Sequence, residues 1–220
     1  MEDTKVKRYF LIITMGKKKQ DKSSVILDKE AIINAIKDHA VTLNFKTGAV
    51  YVGEIRYDLE EKLRHGYGRQ IWEDGTKYEG QWLDDNAHGY GEMYRIDGDI
   101  YKGQWENSKA NGQGTYIKEG HHTFYGSWLD DQQHGHGIEE WDDGTKFIGQ
   151  YAYGEKNGKG KLTYKDESCY TGQFKANDID GQGQYTWADG RTYIGSWLVN
   201  KIDGKGKMTW PDGRSYTGDF

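Results

Sequence analysis

The chain has 220 residues, including 31 glycines, and aromatic residues make up 14% of it within a hydrophobic total of only 35%. Few aliphatic side chains remain to fill a thick core, so burial is assigned to Trp and Tyr in a thin layer. The formal net charge is −5, with nine basic and six acidic side chains in residues 1–40 and 21 basic and 29 acidic side chains in residues 41–220. An acidic main segment of this kind argues against nucleic acid as a partner.

Cysteine usage and hydropathy indicate a cytoplasmic chain. The one cysteine, Cys169, supplies neither a disulfide pair nor a zinc motif, which is typical of a reducing compartment. The apolar run 9–15 is followed by lysines without a small-residue cleavage site, so no secretory signal is predicted. No run approaches the roughly 18 apolar residues of a membrane span.

The first 40 residues are predicted to form an extension that precedes the main domain, residues 41–220. Residues 6–13 predict a short strand, followed by a basic cluster of Lys17, Lys18 and Lys19. The simplest interpretation of the cluster is a solvated tail, and the alternative is a contact with an acidic protein surface or a membrane. Residues 28–40 predict a helix with Asp28 as its N-cap and three isoleucines on one face, placed to cap a repeat array. Residues 41–50 alternate like a strand and turn near Gly48.

From Tyr51 onward the sequence repeats with a fixed period. A Tyr-x-Gly or Phe-x-Gly motif recurs after one step of 27 residues and then six steps of 23. A Gly-x-Gly motif occurs seven times, at a constant step of 23 residues. Periods of 20 to 50 residues are typical of repeat arrays. The aromatic residues that begin the units, here called the anchors, are Tyr51, Tyr78, Tyr101, Phe124, Phe147, Tyr170, Tyr193 and Tyr216.

Each unit is predicted to be a β-hairpin. In the unit from Tyr78, the anchor, Gly80 and Trp82 lie two residues apart and share one face of a strand. The glycine leaves room for a ring from a neighbouring strand to lie across the backbone. The residue three positions after the aromatic is expected to adopt positive φ in a turn. These turn residues are Asp85, Ser108, Asp131, Gly154, Asn177 and Asn200.

The second strand of each unit begins at the Gly-x-Gly motif and ends in a turn to the next unit. Five units carry Asp-Gly at that turn, and the third and fifth units lack it, so their connections are expected to differ. Hairpins joined in this way predict a mainly β fold, an open and twisted antiparallel meander of roughly 14 to 16 strands, two for each repeat. One face would carry the aromatics and the other would be mostly polar.

The pattern Tyr-x-Gly-x-Trp, polar turn, Gly-x-Gly and a second strand ending in Asp-Gly resembles the MORN repeat (membrane occupation and recognition nexus). The clearest copies are residues 78–100 and 193–215, and the resemblance covers residues 51–220 as seven repeats and the first strand of an eighth. The resemblance implies an elongated array that serves in axonemal, cytoskeletal or membrane-tethering assemblies, with any catalysis in a separate domain. Departures include four extra residues in the first unit and Ile55 in place of the aromatic.

The residues that could carry chemistry are better explained by structural roles in turns and strands. His65, His88 and His134 precede glycine pairs, but Asn111 and Asp180 fill the same slot in other units, which indicates a polar turn residue and no metal site. The Gly-x-Gly motifs lack the strand–loop–helix context of phosphate-binding loops. No nucleophile is accompanied by a base and an orienting group. The sequence therefore predicts no enzyme activity and no cofactor.

The leading functional hypothesis is a scaffold that binds partner proteins along an aromatic trough, within a ciliary or cytoskeletal assembly. Trp and Tyr are favoured at protein interfaces, although the same rings have internal stacking as their alternative role. The candidate contact residues are Trp82, Trp105, Trp128, Tyr151, Phe174, Trp197, Tyr78, Tyr101, Tyr170 and Tyr193.

Two further hypotheses remain open. The cluster from Lys17 to Lys19 suggests a peripheral module that binds phosphoinositides or other anionic lipids, although the acidic repeats oppose it. The sequence ends at Tyr216–Phe220, halfway through an eighth hairpin, which suggests the regulatory part of a longer enzyme. Since an unpaired strand edge invites association, Tyr216 and Phe220 are expected to pair with a partner or with a second copy of the chain.

Overall fold

The computed structural model describes residues 40–59 and 61–220. The strand predicted at residues 6–13, the basic cluster Lys17 to Lys19 and the helix predicted at residues 28–40 lie outside the described residues, apart from residue 40. Within the described residues, no helix is long and apolar enough to cross a membrane.

The described residues form one antiparallel sheet of sixteen strands, and each strand pairs with its neighbours in sequence. This order confirms the open meander, with two strands for each repeat and a first strand before Tyr51. The strands are β1 Val41–Asn44, β2 Val50–Asp58, β3 Glu61–Ile71, β4 Lys77–Leu83, β5 Asn86–Tyr94, β6 Ile100–Glu106, β7 Lys109–Lys118, β8 His122–Leu129, β9 Gln132–Trp141, β10 Lys146–Ala152, β11 Glu155–Thr163, β12 Cys169–Lys175, β13 Asp178–Thr186, β14 Thr192–Leu198, β15 Lys201–Thr209 and β16 Ser215–Asp219.

The turns inside the hairpins place two successive residues in the left-handed region. Asp84 and Asp85 have φ of 48° and 65°, the signature of the tight turns that match strand twist. The second of these positions is the one that the sequence predicted in each unit from the second to the seventh. The first position was not anticipated, and it holds Tyr153, Ala176 and Val199 in three units.

Val199 is strained because a β-branched residue rarely adopts its φ of 46°. Replacing Val199 by Asn, which tolerates this conformation, is expected to stabilise the protein by about 1 kcal/mol. The side chain is 55% exposed, so little packing is lost. The change is measured by urea denaturation. Leu198→Asn, one residue earlier in strand β14, is the control and should give no gain. Equal stability of V199N and the natural chain would contradict the strain argument.

The connection after the fifth repeat corrects one sequence prediction. Glu167 occupies the glycine position with φ of 67°, and its N–H donates to the carbonyl of Tyr164 at 3.0 Å, as in the Asp-Gly turns. Asp166 and the buried Ser168 hold this turn through side-chain hydrogen bonds, so glycine is not required. The third connection does differ, because β7 and β8 stay paired as far as Lys118 and His122 and Gly120 alone is left-handed in the turn.

Candidate interaction surfaces

The anchor ring of each repeat lies flat across two glycines. Tyr78 is fully buried, and a Cβ atom placed on Gly91 would lie 2.2 Å from its hydroxyl oxygen. The hydroxyl donates to the carbonyl of Gln81 at 2.9 Å, at the bulge between Gly80 and Trp82. The other tyrosine anchors repeat this hydrogen bond three residues onward. Burial raises the pKa of Tyr170 to about 12, so this hydroxyl keeps its proton and remains a donor.

The glycines under the anchors form a continuous row, here called the glycine column. One glycine from every strand between β2 and β16 faces a glycine of the next strand. The row contains Gly53, Gly68, Gly80, Gly91, Gly103, Gly114, Gly126, Gly137, Gly149, Gly160, Gly172, Gly183, Gly195, Gly206 and Gly218. On the aromatic face, the anchors cover this column.

The anchors and the aromatic residues four positions after them form an uninterrupted stack, here called the aromatic spine. Successive rings meet edge to face, with centroids 4.9–5.6 Å apart and planes crossing at 74–89°. This is the preferred geometry of aromatic pairs. The indoles of Trp82, Trp105 and Trp128 also donate to glycine carbonyls of the preceding repeat. The spine therefore joins each repeat to the next.

The structure places nine of the ten candidate trough residues inside the spine with at most 8% exposure. Trp128, the tenth, is half-buried. Each of these rings makes edge-to-face contacts with other rings of the chain. In contrast, Tyr216 and Phe220 at the C-terminal strand are 48% and 41% exposed. Half-buried residues from the second strands pack beside the spine on the aromatic face.

These residues, here called the second-strand row, pack against the spine and remain partly open. The row holds Met93, Tyr116, Leu162, Tyr185 and Met208, each directly opposite an anchor on the next strand. Their side chains are half-buried. In the first and fourth repeats, polar Gln70 and Glu139 take the same slot and are buried.

Glu139 lies at the centre of a polar cluster that the repeat pattern does not predict. Its carboxylate accepts a hydrogen bond from the hydroxyl of Tyr151 at 2.9 Å and pairs with Lys156 at 2.8 Å. The Lys156 ammonium also lies over the ring of Trp141, 4.7 Å from its centroid. Burial, with the nearby carboxylate, raises the pKa of Tyr151 well above its usual value. The sequence feature that could have indicated this cluster is a carboxylate at a repeat position that is apolar in most of the other repeats.

The hairpin turns lock each repeat to the one before it. The carboxylate of Asp85 accepts the backbone N–H of Arg64 at 2.8 Å, and the N–H of Asp85 donates to the carbonyl of Arg64 at 3.0 Å. Ser108, Asp131, Asn177 and Asn200 make the same pair of contacts 21 residues back along the chain. The sequence predicted only a positive φ for Asp85 and Asp131, so this structural role was missed.

The histidine slot does not gather the histidines into one site. His65 Nδ1 lies 3.1 Å from a carboxylate oxygen of Asp84, and the ring of His134 packs edge-on against Tyr153. Over the part of the chain that the structure describes, no three His, Cys, Asp or Glu residues are grouped to hold a metal ion. His65 and His134 therefore have separate surroundings, each beside a residue of the following hairpin turn.

The face opposite the spine begins with a compact ladder of charges. Arg69, Glu79, Glu92 and Lys102 stand in register on β3 to β6. The ion pair Arg69–Glu79 has a distance of 3.1 Å, and Lys102–Glu92 one of 3.4 Å. Both carboxylates are only 8% exposed. Each buried carboxylate therefore has a cation that offsets its repulsion with the other.

The architecture defines an array of β-hairpin repeats that grows as a single sheet, with each unit packed only on its sequence neighbours. The model of the MORN repeat matches seven segments of the sequence. These segments are residues 51–77, 78–100, 101–121, 124–146, 147–169, 170–190 and 193–213. The chain belongs to the MORN repeat family. No curated protein matches it in sequence.

Solved structures of centriolar proteins show a distant likeness. The TCP domain of SAS-4 (dCPAP) of Drosophila melanogaster, in complex with a proline-rich motif of Ana2, is 15% identical, with a TM-score of 0.43 over 81% of this chain and 89% of that one. The CPAP G-box domain is 12% identical, with a TM-score of 0.41 over 81% and 97%. The TCP10 domain of Danio rerio CPAP with a STIL peptide is 14% identical, with a TM-score of 0.35 over 81% and 82%. Likeness at this level carries no argument about partners.

Proposed function

We propose that this MORN protein is a non-catalytic cytoplasmic scaffold that binds partner proteins along its aromatic face. The setting that the family resemblance favours is a ciliary or cytoskeletal assembly. The observation that carries the proposal is the aromatic spine, which joins the repeats from Tyr51 to Phe220 and leaves the second-strand row half-exposed beside it. A continuous stack of this kind favours a stiff unit that presents a fixed row of apolar contacts.

The spacing of the second-strand row suits a helical partner. Leu162, Tyr185 and Met208 lie on β11, β13 and β15, so the last three repeats present contacts roughly 9.6 Å apart. Glu139 interrupts the row in the fourth repeat. A helix advances about 10.5 Å in seven residues, so an amphipathic helix with an apolar residue every heptad would stay in register over several repeats. Met and Tyr are enriched in protein interfaces, and a half-buried apolar row can be covered at little entropic cost. The buried rings of the candidate trough then support this surface from below.

Replacing Leu162 and Met208 together by Gln is expected to weaken partner binding by about tenfold or more, because each change removes apolar contact from the interface. Partners are first isolated by affinity capture with crosslinking from source cells. Each recovered protein is then purified and titrated against the natural chain and the variant. The titration separates direct contacts from indirect ones.

The control is Leu83→Gln with Leu198→Gln, which changes two exposed leucines at the hairpin ends by the same chemistry. This control should bind like the natural chain, and thermal melting should show that both doubles fold. If every purified partner binds L162Q/M208Q as tightly as the natural chain, the aromatic face is not the interface.

A further inference from the structure

The glycine column has a second consequence on the face opposite the spine. The two residues that flank each column glycine point to that face, because side chains alternate along a strand. The column therefore has no side chains of its own there and forms the floor of a groove between two rows. The groove has a volume of about 510 Å³ where it crosses β9 to β13, with Gly149, Gly160 and Gly172 among its lining residues.

Two pairs of lysines flank this groove. Lys159 and Lys161 stand on either side of Gly160, and Lys205 and Lys207 stand on either side of Gly206. All four are exposed. We call these four residues the lysine strip. It occupies equivalent positions in the fifth and seventh repeats, and the sixth repeat has two glutamines there.

The lysine strip differs from the other cations near the column in having no ion pairs. Arg69 and Lys102 on the same face are each matched by a buried carboxylate. Among the described residues, no carboxylate oxygen lies within 4.0 Å of any ammonium group of the strip. Asp219 lies opposite Lys205 on β16, but its carboxylate is more than 4.0 Å from the ammonium group. The strip therefore presents four ammonium groups without a close ion pair, on a chain whose formal net charge is −5.

Apolar side chains share the row that holds Lys161 and Lys207. Ile148, Ile138 and Tyr125 are direct neighbours across β10, β9 and β8. Ile148 and Tyr125 are 47% and 55% exposed, and Ile194, on the strand before Lys207, is 55% exposed. One wall of the groove thus holds exposed apolar side chains and two lysines, with Thr171 and Gln184 between Lys161 and Ile194.

We propose that the lysine strip and its groove bind an extended acidic segment of another protein, on a surface distinct from the aromatic face. The lysine pairs lie on β11 and β15, four strands or about 19 Å apart, which an extended chain spans in about six residues. A matching segment carries two acidic pairs about six residues apart, with apolar residues between them facing Ile194. The glycine floor lets a backbone approach closely, which a flat bilayer does not exploit.

The probe is a fluorescein-labelled synthetic peptide of about 12 residues, with two Glu-Glu pairs six positions apart and Val and Ser between them. A second peptide has the same composition with its four glutamates adjacent. Binding is followed by fluorescence anisotropy at about 0.1 M salt. The natural chain is expected to bind the spaced peptide, and the double change Lys159→Glu with Lys161→Glu to weaken that binding by at least about tenfold.

The matched control is Lys175→Glu with Lys201→Glu, an identical charge change at exposed hairpin ends, and it should stay within about twofold of the natural chain. Absence of binding by the natural chain, equal affinity for the two peptides, or equal effects of the two double changes would overturn the proposal. Pelleting with phosphatidylserine vesicles that K159E/K161E abolishes, without peptide binding, would overturn it in favour of a lipid surface. L162Q/M208Q should bind the peptide as tightly as the natural chain does. The proposal for the aromatic face and the proposal for the lysine strip can therefore be contradicted independently.

Discussion

Replacing Gly183 by alanine is expected to destabilise the repeat array by about 3 kcal/mol, because the glycine column has no room for a methyl group. A Cβ atom at this position would lie 2.2 Å from the hydroxyl of Tyr170 and 2.4 Å from its ring. The ring is fully buried between Phe174 and Trp197 and cannot move aside. The loss is measured by urea denaturation with tryptophan fluorescence.

Gly213→Ala is the control for this change. Gly213 has φ of 88°, and nothing lies within 4 Å of a Cβ atom built there, so its replacement tests backbone conformation without a clash. It should cost about 1 kcal/mol. A loss at Gly183 no larger than the loss at Gly213 would mean that the rings can shift and that the column is not sterically closed.

The damage from G183A is expected to be local at first. In a linear array each repeat contacts only its neighbours, so stability is a sum of repeat and junction terms. Hydrogen exchange should therefore accelerate in β12, β13 and β14 before the more distant strands respond. Uniform acceleration across the sheet would indicate that the array unfolds as one cooperative unit.

The order and pairing of the strands were predictable from the sequence because the signals are local and repeated. The fixed step between Gly-x-Gly motifs defines the hairpin length, and turn residues such as Asp85 and Asn200 have the short polar side chains that left-handed φ favours. That glycines such as Gly80 leave space for a ring also followed from their place between large residues, but the ring over Gly80 belongs to Tyr78 of the same strand and not to a neighbouring strand. Predicting these features correctly requires only the residues that are close in sequence.

The functional surface was less predictable. The alternation of side chains along a strand predicts which face of the sheet a residue is on, but not whether it is exposed to solvent. Tyr78 and Trp105 are on the predicted face, yet their edge-to-face contact at 5.2 Å leaves them buried. Whether such a ring projects from the sheet into solvent or packs against the sheet depends on residues of the neighbouring repeats. The pairing of Asp85 with Arg64 and the cluster around Glu139 likewise depend on residues in another repeat, which a hairpin examined alone does not show.

The turn at Glu167 is a case in which a local sequence rule gave the wrong prediction. The sequence lacks the favoured Asp-Gly pair there, and a local rule predicts a different connection. The neighbouring strands β11 and β12 nevertheless impose the common turn, because their register is fixed by the anchors on each side. Tertiary pairing therefore outweighs the preference of a single residue, whose conformational cost is about 1–2 kcal/mol.

Replacing Trp105 by alanine is expected to destabilise the protein by about 3–5 kcal/mol, the usual cost of removing a large buried ring. The indole contacts the rings of Tyr78 and Tyr101 at 5.2 Å and 5.1 Å and donates to the carbonyl of Gly91 at 3.1 Å. Its removal therefore opens a cavity, breaks the spine at one junction and leaves a buried carbonyl without its donor. Thermal and urea denaturation both measure the effect.

Trp105→Phe separates the ring contacts from the hydrogen bond. Phenylalanine keeps an aromatic edge against Tyr78 but lacks the N–H, so a loss of about 1–2 kcal/mol is expected. Because only 8% of Trp105 is exposed, W105F should leave partner affinity within about twofold while lowering stability. Loss of partner binding at unchanged melting temperature would contradict the internal role of the spine and return Trp105 to the interface as a direct contact.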